Sequence, residues 1–128
     1  MELSETNLSN SELADSELKN PKLNEVLELE LYEEIQDSQK KNSDKQIEKV
    51  AKALTSETRR LILNLIQNSN EEMDVSNIAS ILNMTEANIS AQIKKLQEAG
   101  LIYCDYCSGN HGVRKISRVK FDKIIINI

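Results

Sequence analysis

The chain has 128 residues, a formal net charge of −5, 39% hydrophobic residues and only 3% aromatic residues. This length fits one small domain with an extension, and the low apolar content indicates that part of the chain lies outside the core or is buried by a partner. No apolar run approaches the ~20 residues that span a bilayer, and no signal peptide opens the chain. Two cysteines are too few for a disulfide framework, so the sequence predicts a soluble cytoplasmic protein with reduced thiols.

The charge is distributed unevenly. Residues 1–40 carry eleven acidic and three basic side chains, a net charge of −8, whereas residues 41–128 carry a net charge of +3. Electrostatic fields at physiological salt fade within roughly 8 Å, so local charge decides what a surface attracts. The overall negative charge therefore does not exclude nucleic acid as a partner of the basic part.

The N-terminal part predicts a tail followed by a helix. Residues 1–19 are rich in Ser, Asn and Glu and predict a mobile acidic tail. Asn20 and Pro21 are a typical helix start, which predicts a helix over residues 20–41. Its apolar face needs a partner, either a second copy of the chain or its own domain. The predicted dimer interface comprises Leu23, Val26, Leu27, Leu31 and Ile35.

Two more helices open the predicted main domain, residues 42–128. Residues 42–44 are cap-forming, and apolar side chains then recur at helical spacing until residues 55–56 interrupt the pattern. The first of these helices turns Ile47, Val50, Ala51 and Leu54 inward. The second turns Leu61, Ile62, Leu65 and Ile66 inward.

Residues 74–100 predict a helix-turn-helix. Asp74 is a good N-cap, Asn83 tolerates a left-handed turn, Thr85 restarts a helix and Gly100 ends it. The first helix has the apolar stripe Val75, Ile78, Ala79 and Leu82. The second has the stripe Ile89, Ile93 and Leu96. The second helix of such a motif lies in a DNA major groove.

The outer surface of the second helix, residues 85–99, fits that role. Small and amide side chains near its start suit base edges, and lysines further along suit phosphates. The alternative is an ordinary solvated helix face. The candidate DNA-binding side chains on this helix are Thr85, Asn88, Ser90, Gln92, Lys94 and Lys95.

After Gly100 the pattern changes to that of strands. Residues 101–107 and 113–121 predict a β-hairpin with a Gly-rich tip, the wing of a winged helix. Its predicted contacts with the DNA backbone or minor groove are His111, Arg114, Lys115, Arg118 and Lys120. Residues 124–128 predict a last apolar strand that must be covered. The predicted fold is mainly α with a small β-hairpin (α+β), a winged helix-turn-helix preceded by an extra N-terminal helix.

Two stretches carry a family resemblance. ALTSETRRLILNLI, followed by VSNIASILNMTEANISAQIKKLQEAGLIY, resembles the winged-helix regulators of the ArsR type, and the likeness covers residues 45–128. It implies a homodimeric transcriptional regulator that binds double-stranded DNA through the helix from Thr85 and the wing. By motif position it also implies base-proximal roles for Thr85, Asn88, Ser90 and Gln92.

The sequence departs from this family at two places. Metal-sensing members carry a Cys-x-Cys motif on the first helix of the helix-turn-helix, where this chain reads VSNIASIL. The family's arsenic or zinc site is therefore not expected there. No helix follows the wing, so the resemblance shifts the expected dimer contact to the helix from Pro21.

The remaining chemistry-bearing residues lie in the wing. Cys104 and Cys107 have the spacing of half a zinc site, and His111 is the one histidine. Residues three apart on a strand point to opposite faces, and a structural zinc needs four ligands, so packing is the favoured reading over a redox or metal site. No cofactor is expected. No phosphate-binding Gly-rich loop and no other nucleophile–histidine pair indicates an enzyme.

Three functions remain open. The first is a sequence-specific DNA-binding regulator, the second a winged helix used for protein–protein contact, and the third a thiol- or metal-responsive sensor. The net charge of +3 on residues 41–128 favours the first. The operator, an effector and a partner protein stay open.

Overall fold

The computed structural model describes residues 25–32, 38–109 and 112–128. In chain order the elements are β1 (Val26–Glu30), α1 (Ser38–Ala53), α2 (Glu57–Asn68), α3 (Val75–Leu82), α4 (Glu86–Glu98), β2 (Ile102–Gly109), β3 (Gly112–Val119) and β4 (Lys123–Asn127). This is the predicted α+β winged helix-turn-helix, with two two-stranded sheets, β1–β4 and β2–β3.

Helices α1 to α4 and the hairpin bury one common core. The apolar stripes predicted for the last three helices supply much of it, because spacings of three and four residues bring side chains to one helix face. The side chains that are wholly excluded from solvent include Ile62, Ile78, Ile89, Ile93, Leu96 and Ile102. Burial of each such side chain stabilises the fold by roughly 1.5–3 kcal/mol.

The hairpin β2–β3 packs directly behind α4. It pairs antiparallel from Ile102↔Val119 to Gly109↔Gly112. Met73 adds a single β-bridge to Ser117 on the outer edge of β3. Through this bridge the loop before α3 is bound to the wing.

The expected helix over residues 20–41 is wrong between Val26 and Glu30, which form strand β1. Leu27 and Leu29 are buried, whereas Glu28 and Glu30 face solvent. The apolar residues of VLELE fit the two-residue period of a strand and also part of the apolar stripe of a helix. The segment forms a strand where a second strand is available to pair with it. That partner is β4, which pairs with β1 in parallel at the far end of the chain.

This pairing alters the predicted dimer surface. Leu27 lies in the protein's own core, and Val26 and Leu31 are 44% and 45% exposed. Leu23, Ile35 and the acidic tail, residues 1–19, lie outside the described residues. Strand β4 is covered on one edge by β1, as the apolar sequence of residues 124–128 requires.

The first long helix also begins earlier than expected. Helix α1 starts at Ser38 and runs through the predicted cap at residues 42–44. The expected break at residues 55–56 is present, and the side chain of Ser56 caps α2 by accepting a hydrogen bond from the backbone N–H of Arg59. Among the described helices, none is both long and apolar enough to cross a membrane.

Candidate nucleic-acid interface

The turn between α3 and α4 is formed as the sequence predicts. Asp74 caps α3 in a reciprocal capping box with Asn77, and Thr85 caps α4 by accepting from the backbone N–H of Asn88. Asn83 ends α3 in the left-handed conformation, with φ of 57° and ψ of 51°. These caps satisfy backbone groups that the helix ends leave open, so the angle between the two helices is set locally.

Helix α4 has one buried and one exposed face. Ile89, Ile93 and Leu96 are buried, so the opposite face carries the polar residues. The predicted base- and phosphate-contacting residues of α4 lie at this exposed surface, with Gln92 half-buried at its edge: Thr85, Asn88, Ser90, Gln92, Lys94 and Lys95.

Two amides on this face form a hydrogen-bonded chain with an arginine of α2. The Nε2 of Gln92 donates to the Oδ1 of Asn88 at 3.0 Å, and the Oε1 of Gln92 accepts from the Nη1 of Arg59 at 2.7 Å. The Nδ2 of Asn88 contacts the Sδ of Met84 at 3.6 Å. The two predicted base readers are therefore linked to each other and to the body of the domain.

Arg59 contacts this candidate surface through Gln92, and the sequence pattern did not predict the contact. Its Nε and Nη2 donate to the carbonyl oxygens of Ala53 and Lys52 at 2.7 and 3.0 Å. These carbonyls end α1, where the helix dipole also favours a cation. Arg59 lies 33 residues before Gln92, and no local pattern joins the two.

Arg114, a predicted phosphate contact, is bound within the chain. Its Nε donates to the Oδ2 of Asp74 at 2.9 Å, and its Nη2 donates to the Oδ1 of Asn77 at 3.2 Å. Burial alone raises the pKa of Asp74, but hydrogen bonds from the Asn77 backbone and from Arg114 outweigh it and hold that pKa below its usual value. The wing is thereby tied to the capping box of α3.

Arg118 is bound in the same way. Its Nε donates to the Oδ2 of Asp105 at 2.7 Å, and its Nη2 donates to the Oε2 of Glu72 at 3.0 Å. The hydrogen bond that Arg118 donates to Asp105 raises the pKa of Arg118, and together with the bond to Glu72 it outweighs burial, which lowers that pKa. Among the predicted basic residues of the wing, Lys120 is exposed, Lys115 is half-buried, and His111 lies outside the described residues.

The cysteines do not converge. Both are free thiols, and β2 continues unbroken through Tyr106, so the two side chains point to opposite faces of the hairpin. The Sγ of Cys104 lies 3.8 Å from the Oε1 of Gln97 and 3.9 Å from the Oγ of Ser117. In the described ranges, no three His, Cys, Asp or Glu side chains are grouped so as to hold a metal ion.

The order of elements, the turn geometry and the hairpin behind α4 define a winged helix-turn-helix. Residues 56–103 match the model of the family described as bacterial regulatory protein, arsR family. A comparison with curated protein sequences finds no match. Over this segment, which is less than half of the chain, the protein is similar to the ArsR family, and the solved structures below share its winged helix-turn-helix fold.

The fold is similar to several solved structures. One is the homodimeric winged helix-turn-helix DNA-binding domain of a possible ArsR-family transcriptional regulator from Mycobacterium bovis, with 28% identity and a TM-score of 0.56 over 68% of this chain and 75% of that chain. NolR from Sinorhizobium fredii has 18% identity and a TM-score of 0.53, over 70% and 84%. Reduced HlyU from Vibrio cholerae has 21% identity and a TM-score of 0.50, over 64% and 79%. The last two support the fold alone.

Proposed function

We propose that this protein is a sequence-specific, double-stranded-DNA-binding transcriptional regulator, with α4 in the major groove and the β2–β3 wing on the backbone or minor groove. The observation that carries the proposal is the exposed face of α4. Its amides and hydroxyls cluster near the N-terminal end, and Lys94 and Lys95 follow one turn later. This order matches the division between base readers and phosphate contacts.

The charges of the wing refine the phosphate contacts. Arg114 and Arg118 are neutralised by carboxylates of the same chain, so they bind phosphate only by giving up those partners. Lys94, Lys95 and Lys120 are exposed, and within the described part of the chain none is in an ion pair. We therefore assign most of the salt-dependent attraction to these lysines.

We also propose that the regulator is a homodimer. Leu31, Ile126 and Ile128, here called the apolar overhang, extend the inner face of the β1–β4 sheet past the core. They are 45%, 41% and 99% exposed. The similar domain from Mycobacterium bovis is described as homodimeric. A second copy that covers the overhang would remove this apolar surface from water.

The decisive experiment is selection of bound sequences from a random duplex pool, followed by titration of the selected duplex and a scrambled duplex. We expect a common site that binds at least about a thousandfold more tightly than the scrambled one, the lower end for specific DNA-binding proteins. Ser90 lies at the exposed edge of α4. Its replacement by Ala should weaken binding to the selected duplex more than binding to the scrambled duplex. Equal affinity for both duplexes, together with capture of a partner protein through α4, would instead support an interaction module.

A further inference from the structure

We propose that Arg59 is a positioning residue that fixes the carboxamides of Gln92 and Asn88 so that this pair presents N–H donors to DNA. The inference rests on the proposed function, because base readout has meaning only for a DNA-binding protein. It adds a specificity determinant outside the recognition helix.

The orientation of Gln92 follows from the chemistry of its partner. A guanidinium carries only hydrogen-bond donors, so the atom of Gln92 that faces the Nη1 of Arg59 must be the carbonyl oxygen. The 2.7 Å contact from Arg59 therefore determines which end of the amide is oxygen and which is nitrogen. A flipped Gln92 would place its own donors against those of Arg59.

The orientation is passed on to the second amide. With its oxygen on Arg59, Gln92 turns its Nε2 toward Asn88, and this nitrogen needs an acceptor, which the Oδ1 of Asn88 supplies at 3.0 Å. The nitrogen of Asn88 then faces away, and among the residues that the structure describes it donates only to the weak acceptor Sδ of Met84. Each carbonyl oxygen already accepts a bond, and each nitrogen retains a second N–H.

Arg59 is itself held in place by several hydrogen bonds, so it can fix the orientation of the two amides. Three of its nitrogens donate to three different oxygens, two of which are backbone carbonyls at the end of α1. Movement of the guanidinium would break its bond to the Ala53 carbonyl, whereas the Lys52 carbonyl also accepts from the hydroxyl of Thr55 at 2.7 Å. Gln92, in contrast, has its amide ordered only by Arg59 and Asn88 among the described residues.

Such a donor pair should distinguish base edges. The major-groove edge of guanine offers the acceptors N7 and O6, whereas adenine is read by an amide that accepts from N6 and donates to N7. An amide whose oxygen is already engaged by an arginine is poorly suited to the adenine pattern. We infer that the base under Gln92 is selected for its acceptors, guanine before adenine.

The test compares base preference among variants on the selected duplex, with each base pair substituted in turn. Arg59→Met should reduce the guanine-over-adenine preference at one position by about tenfold, within the range that one well-placed base contact contributes. Gln92→Ala should affect the same position, and the double variant should show no further change, because both residues act through one contact. Arg59→Lys should resemble Arg59→Met, since a single ammonium cannot serve three separated oxygens.

Arg60→Met is the matched control. Arg60 is the neighbouring exposed arginine of α2, and its Nη1 also donates to a backbone carbonyl, that of Leu54, at 2.8 Å. Arg60→Met removes one positive charge and a hydrogen bond to a backbone carbonyl near the end of α1, as Arg59→Met does, but it keeps the bond between Arg59 and Gln92. It should not alter base preference at any position.

A measurement on the protein alone separates this inference from the proposed function. The side-chain amide of Gln92 should give a distinct, slowly exchanging NMR signal that is lost in Arg59→Met and retained in Arg60→Met. A wild-type protein without sequence preference would overturn the proposed function, and the NMR signal would still report the amide orientation. Equal weakening on all duplexes by Arg59→Met, with an unchanged base profile, would overturn this inference while leaving the proposed function in place.

Discussion

The carboxylate of Asp74 connects helix α3 to the wing, because it accepts hydrogen bonds from both. It caps α3 through the backbone N–H of Asn77 and binds Arg114 of the wing. A single side chain therefore sets the start of the helix-turn-helix and anchors the hairpin. Its lowered pKa reflects both contacts.

This arrangement predicts a pH-dependent stability. Because the folded-state pKa of Asp74 lies below its unfolded value of about 3.9, the contribution is fully present above that value and is lost as pH falls through the folded pKa. Asp74→Asn retains a capping acceptor but not the charge, so it should flatten the stability profile below about pH 4 while changing neutral stability by less than about 1 kcal/mol. Urea unfolding at a series of pH values measures both.

Asp122→Asn, at an exposed carboxylate, provides the control for a general loss of negative charge. An acid profile of Asp74→Asn that matches the wild type would show that Asp74 does not govern this range. Asp74→Ala removes the cap as well and should destabilise the protein by about 1–2 kcal/mol at neutral pH.

At the scale of elements, β1 has the most direct test. In the strand, Leu29 is buried and Val26 is exposed, whereas the expected helix placed Val26 in the apolar stripe. Leu29→Ala should therefore lower the free energy of unfolding by about 2–5 kcal/mol. Val26→Ala should lower that of the monomer by less than about 1 kcal/mol. Chemical denaturation of the two variants at the same low protein concentration distinguishes strand from helix. The reverse order of destabilisation would favour the helix.

The wing and α4 differ in how their cations are held, which predicts different salt responses. Lys94→Gln should reduce the slope of log binding constant against log salt by about one, because an exposed lysine releases one counterion when it binds phosphate. Arg118→Gln should change this slope less, since its guanidinium is already neutralised by Asp105 and Glu72. Titrations of one duplex at several salt concentrations measure both slopes. Equal reductions would indicate that Arg118 exchanges its carboxylates for phosphate.

At the scale of the whole molecule, the two ends of the described chain meet in the β1–β4 sheet. The pairing from Val26↔Lys123 to Glu30↔Asn127 joins segments almost one hundred residues apart. The side-chain Nδ2 of Asn127 adds bonds at 2.8 Å to carboxylates of both Glu28 and Glu30. The sheet leaves the apolar overhang at its end, which is the surface that we assign to the dimer.

That assignment predicts a charge-sensitive oligomer. The double variant Leu31→Glu/Ile126→Glu should be a folded monomer by light scattering, because two carboxylates on an apolar contact must be desolvated on association. Val113→Glu, at a 74% exposed position on the wing, is the control and should leave the mass unchanged. A double variant with the mass of a dimer would place the interface elsewhere.

Residues 1–19, the acidic N-terminal segment, provide another prediction at this scale. These residues carry net negative charge, so their removal should leave the proposed DNA affinity unchanged or raise it, most clearly at low salt. Titration of full-length and shortened proteins on the selected duplex tests the sign. A loss of affinity would show that the segment supports binding.

The sequence by itself determined the helix-turn-helix, because its signals are local. Asp74, Asn83, Thr85 and Gly100 set caps and turn through contacts within a few residues, and the stripes between them follow the period of the helix. The hairpin was also predictable, because its strands adjoin one Gly-rich tip.

Only the tertiary structure decided the rest, and the reason is separation along the chain. VLELE fits a strand or part of a helix until β4 supplies its hydrogen-bond partners, and Arg59 meets Gln92 only when α2 packs against α4. The sequence revealed the charges of Arg114 and Arg118 but not the carboxylates that the fold places beside them. Contacts between distant residues depend on packing, which no local period encodes.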